Sequence, residues 1–104
     1  MNSEHFGYVV QAQLELCQDM LEGKAAEYAT NLDRLHNFKV AANLRRVTQM
    51  QALGGMMAKH TVSIYDMINS GYPYSQELWT EKITDHINYL ILLRAIVTEE
   101  IIES

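Results

Sequence analysis

The sequence predicts an all-α, four-helix bundle-like domain with a long C-terminal helix. Three observations carry that prediction. Apolar residues recur at helical spacing through most of the 104 residues, and no stretch alternates polar and apolar over a strand's length. The one plain turn, SGYPYS at 70–75, holds the only proline.

The first helix is expected over about Ser3 to Glu22, with Ser3 as N-cap, an apolar line of Phe6, Val10, Leu14, Cys17 and Leu21, and Gly23 as its stop. A second, about Lys24 to Arg46, carries Tyr28, Leu35, Phe38 and Ala42 on one side. On roughly the opposite side Asp33 and Asn37 lead into Val40 and Leu44. The third starts after Thr48, a good N-cap residue, and buries Met50, Leu53, Met57, Ile64 and Ile68. Gly54 and Gly55 in its interior each cost about 1 kcal/mol relative to alanine, so the pair predicts a close helix contact or a break. The last helix, about Gln76 to Glu103, places Trp79, Ile83, Ile87, Leu90, Val97 and Ile101 on its main apolar face. Within it YLILLRAIV, residues 89–97, is apolar almost all round, and such a helix must be covered on more than one side. A second subunit would supply the extra cover, so a homo-oligomer is expected.

Residues 1–104 read as one domain, since no linker-like run of Gly, Pro or Ser interrupts a chain that is 48% hydrophobic. A formal charge of −5 argues against bulk electrostatic binding to nucleic acid. No charge-free apolar run approaches the ~20 residues that span a bilayer, and MNSEHFGYVV lacks the basic start of a signal peptide, so a cytoplasmic location without membrane contact is expected. The single cysteine, Cys17, sits on an apolar line and reads as a packed thiol rather than a nucleophile.

Three polar groupings are candidates for chemistry. Helix two offers Asp33, Arg34, Asn37 and Lys39, with Glu27 before them; helix three offers Lys59, His60, Ser63 and Asp66; helix four offers Glu81, Lys82, Asp85, Asn88 and Tyr89. In WTEKITDHINYLILL, the steps from Glu81 to Asp85 to Asn88 to Leu92 follow one side of a helix that turns from polar to apolar. Lys59, Ser63 and Asp66 likewise share one side. Each stripe taken alone is a solvated face with local ion pairs, each worth a few tenths of a kcal/mol. Carboxylate and carboxamide leading into apolar lines imply instead either an internal polar network that fixes register or a ligand site between helices. The cations present would supply partners directly or through a phosphate-bearing ligand.

EYATNLDRLHNF, KHTVSIYDM and LWTEKITDHINYLILL resemble three blocks of a family of small phage and prophage proteins, similar in turn to nucleotide-handling helical proteins; the resemblance covers residues 24–93. The EKITD segment also resembles part of the MazG-like all-α nucleoside triphosphate pyrophosphohydrolases, in which EExxE and ExxD motifs on two helices hold Mg²⁺ against the triphosphate. No EExxE occurs here, and Lys82 stands three before Asp85 with the acid displaced to Glu81, so only Asp85 carries over.

Two functions follow as expectations. The first is a binding protein, without cofactor or metal, that sequesters a nucleotide or cyclic nucleotide signal in the host cytoplasm of a phage, using the cations for phosphate, Asp and Asn for base or ribose edges, and Tyr28 or Tyr89 for stacking. The second is a Mg²⁺-dependent pyrophosphohydrolase, with oxygens drawn from Asp33, Asp66, Glu81 and Asp85 if the fold brings them together.

Overall fold

A computed structural model describes the backbone of residues 1–28 and 33–103 and the side chains of 1–23 and 33–103. Among the described residues the chain is all-helical, with α1 over Ser3–Tyr28, α2 over His36–Arg45, α3 over Gln49–Ser70 and α4 over Gln76–Val97, which continues into a π-helical turn at Thr98–Ile102. None of these helices is long and apolar enough to cross a membrane. Residues 1–32 and 33–104 form two compact units.

The first unit holds α1. Its N-cap is Asn2 rather than Ser3, because the Asn2 Oδ1 accepts from the His5 amide at 2.8 Å. The helix also does not stop at Gly23. One glycine costs about 1 kcal/mol, and the good helix formers after it, Lys24, Ala25, Ala26 and Glu27, offset that. Of the expected apolar line, Phe6, Val10 and Leu14 are exposed. Cys17 is a buried free thiol whose Sγ accepts from Gln13 Nε2 at 3.4 Å.

The second unit carries a core of Leu35, Phe38, Leu53 and Ile96, with Met50, Met56, Met57, Tyr89, Leu92 and Leu93 packed on it. Here α2 begins at His36, whereas the sequence predicts a start at about Lys24; Lys24–Tyr28 belong instead to α1, and 29–32 lie outside the described residues. Just before it Asp33 makes a turn, its Oδ1 accepting from the Leu35 amide at 3.0 Å while its carbonyl accepts from the His36 amide at 3.1 Å. A short acidic side chain that bonds the backbone two residues on favours a turn over a helix interior. Phe38 and Ala42 face inward as expected, whereas Val40 and Leu44 on the other side are exposed.

The chain leaves α2 through Arg46 in the left-handed region at φ 55°. Thr48 then caps α3 in a reciprocal box, its Oγ1 accepting from the Gln51 amide at 3.0 Å and its own amide donating to Gln51 Oε1 at 2.9 Å. The glycine pair does not break α3. A Cβ at Gly55 would come 2.8 Å from Arg45 Nη1, so this glycine marks the close approach of an arginine side chain, while the space beside Gly54 is open. Gly71, at φ 69°, ends α3 in a conformation that costs glycine nothing. Ser75 starts α4 by accepting from the Leu78 amide at 3.1 Å.

Helix α3 packs against both α2 and α4. The inward line of α4 differs from the expected one. Thr84, Asn88 and Ile96 are buried, with Leu92 packed on the core between them, while Ile83, Leu90 and Ile101 are exposed. Ile68 of α3 is exposed as well.

Candidate functional site

Near the turn between α3 and α4 lies a cleft of about 380 Å³, within the size range of small-molecule sites. From α3 it is lined by Lys59, Val62, Ser63, Asp66 and Met67, from α4 by Leu78 and Lys82, and from the connecting turn by Tyr74. Four residues singled out in the sequence therefore meet here: Lys59, Ser63, Asp66 and Lys82. The register follows from the helices. Lys59, Ser63 and Asp66 are one turn apart on α3, and Lys82 follows Leu78 by one turn on α4.

The charge balance is uneven. Two lysines line the cleft from facing helices, and neither has a carboxylate within ion-pair distance among the described residues. Asp66 supplies the one acid of the lining. Val62, Met67 and Leu78 give the wall an apolar part, and Tyr74 adds an aromatic ring from the turn. Such a cleft can hold an anion by charge-assisted hydrogen bonds and a flat apolar group beside it.

The remaining candidates fall elsewhere. His60 stacks on Tyr89, with ring centroids 4.8 Å apart and planes tilted by 41°. Asn88 is buried, and its Oδ1, like His60 Nδ1 and Gln49 Nε2, has no hydrogen-bond partner among the described residues. Asp85 is half-buried, and Glu81, Arg34 and Asn37 are exposed. Lys39 is committed to two carboxylates, Asp33 at 2.6 Å and Glu99 at 2.8 Å. The hydrogen bond from Lys39, reinforced by the Leu35 amide, holds the Asp33 carboxyl below its usual value, and the same contacts with Asp33 and Glu99 raise Lys39. Seventeen residues of helix separate Lys82 from Glu99, roughly 25 Å, so the polar stripes form separate features and not one pocket.

Among the described residues no three His, Cys, Asp or Glu side chains are grouped as a metal site. Glu27 and Tyr28 lie outside the described side chains. Sequence reasoning missed Tyr74, Leu78, Val62 and Met67. The signal available for Tyr74 was its place in SGYPYS, between a proline and the cap of the next helix, in the turn that joins the two helices lining the cleft. Comparison of the chain with protein-family models, curated proteins and solved structures finds no match.

Proposed function

We propose that the chain binds a nucleotide-type small molecule in the cleft between α3 and α4 and releases it unchanged. The observation that carries this reading is the pair Lys59 and Lys82, two cations from facing helices that share a cleft with an apolar wall and have no acidic partner among the described residues. Phosphate oxygens would satisfy both ammonium groups, the Asp66 carboxylate can accept from hydroxyl or amino groups of the same ligand, and the Ser63 hydroxyl can donate or accept. The resemblance of residues 24–93 to phage and prophage proteins supports sequestration of a nucleotide signal as the setting. A second copy of the chain covering the outward face of α4 belongs to the same proposal.

Calorimetry with a panel of linear and cyclic nucleotides tests it. Binding is expected to be as tight in EDTA as with Mg²⁺, to fall on Lys59→Ala or Lys82→Ala, and to return the ligand intact. Mg²⁺-dependent release of pyrophosphate from a nucleoside triphosphate, lost on Asp85→Asn, would instead favour the pyrophosphohydrolase.

A further inference from the structure

The cleft has two chemically different ends. Along α3, Lys59 and Ser63 lie toward the middle of the helix and Met67 toward the turn, eight residues or about 12 Å from Lys59. Along α4, Lys82 pairs with the first end and Leu78 with the second. The cationic end thus grades into an apolar end lined by Tyr74, and the length suffices for a phosphate, a sugar and a base placed in that order.

Tyr74 is held as a wall and not as a loose side chain. Its ring and that of Trp79 stand T-shaped at a centroid distance of 6.0 Å and 87°, and Tyr72 leans on it at 4.9 Å and 55°. Its hydroxyl lies 3.4 Å from Ser70 Oγ, and its amide donates to the Tyr72 carbonyl at 2.9 Å. Trp79, Ser70 and the turn therefore fix the ring from several sides, while Tyr72 itself remains 65% exposed. A ring fixed before binding loses little freedom when a second flat ring stacks on it. Asp66, near the same end, can accept from an amino or hydroxyl group of the stacked moiety.

We infer that Tyr74 is the base-binding residue of the cleft, so that the site selects phosphate compounds carrying an aromatic base over base-free phosphates. This rests on the reading of the cleft as a phosphate-binding site and adds the part of the ligand that gives selectivity. Trp79 is the only tryptophan of the chain, and its contact with Tyr74 makes its emission a reporter of that end alone.

The test titrates the full chain with adenosine diphosphate, uridine diphosphate and pyrophosphate, following heat and Trp79 emission. The nucleotides are expected to bind about tenfold or more tighter than pyrophosphate, as a stacked base contributes, and only they change the emission. Tyr74→Ala should bring nucleotide affinity down to that of pyrophosphate without altering pyrophosphate itself, and Tyr74→Phe should keep the difference. Lys82→Ala should weaken all three ligands. Should Tyr74→Ala fail to fold, the wild-type comparison of nucleotides with pyrophosphate decides. Equal binding of all three ligands overturns the inference, as does a nucleotide preference that survives Tyr74→Ala, and both leave the phosphate cleft standing. No binding of any of them overturns both.

Discussion

The Asp33 carboxylate and the Lys39 ammonium meet at 2.6 Å, six residues apart in sequence across the turn that opens α2. Because the same ammonium also reaches Glu99 at 2.8 Å, this pair ties the end of the last helix to the start of the second. Asp33 is held below its ordinary 3.8, so its contribution is present above that value and is lost as pH falls through the lowered one. Lys39 is raised above 10.5, so its contribution is complete below that value and is lost as pH rises through the raised one. Both groups are half-buried with solvent within reach, and salt should weaken the tie. Lys39→Met is expected to speed amide exchange at residues 98–103 at neutral pH and to remove its dependence on salt, read by hydrogen-exchange mass spectrometry.

The two interior glycines of α3 should respond differently to alanine. Gly54→Ala adds a methyl into open space and is expected to stabilise the chain by about 0.5–1 kcal/mol, the helix preference of alanine over glycine. Gly55→Ala must displace the Arg45 guanidinium, which offsets most of that gain. In urea denaturation, Arg45→Ala combined with Gly55→Ala should recover it, giving a measurable coupling between the two positions.

Asn88 is buried beside the core with an amide oxygen that has no partner among the described residues. A buried unsatisfied polar group costs about 1–3 kcal/mol, and leucine keeps the branched outline of asparagine with somewhat larger methyl ends. Asn88→Leu is therefore expected to raise stability by about 1 kcal/mol or more in urea denaturation. A fall instead would reveal a partner for the amide and place Asn88 in a polar network.

Of the run 89–97, Leu92 and Leu93 pack on the core while Leu90 and Ile91 are 50% and 41% exposed. Self-association is expected to use the outward pair. Sedimentation equilibrium should give a mass above 11.9 kDa at micromolar concentration, and Leu90→Glu should lower it with helicity unchanged. An 11.9 kDa species alone in the unsubstituted protein would reject the idea.

What was legible in the sequence follows the strength of the local signals. Thr48 and the SGYPYS turn bound α3 because a capping side chain and a proline act within a few residues, and both act as expected. Gly23 misled, since a glycine weakens a helix by less than its neighbours strengthen it. The turn at Asp33 just before α2 is made by local hydrogen bonds of Asp33, which no periodicity reveals. For α4 the expected face was met only in part, with Trp79, Ile87 and Val97 half-buried but Ile83, Leu90 and Ile101 exposed, and over 89–97 a run apolar almost all round gives little direction to read. The polar stripe was the better guide: Asn88 and Leu92 do turn inward. The cleft was half visible. Lys59, Ser63 and Asp66 share a side by helix geometry alone, whereas Lys82 and Tyr74 join them only through the packing of α4 and the turn.

The π-helical turn at 98–102 closes with the Glu103 amide donating to the Thr98 carbonyl at 2.8 Å, one residue further back than an α-helical bond. Such a turn is an α-helix that has taken in one extra residue, and it marks where the chain tolerates a change of length. Loss of a single codon inside it would let the helix close as a regular one, leaving everything before Thr98 in register. The same loss between Thr84 and Ile96 would rotate part of the inward line by about 100° against the rest. Length variants among descendants of this chain should therefore gather after Val97 and be absent from the body of α4.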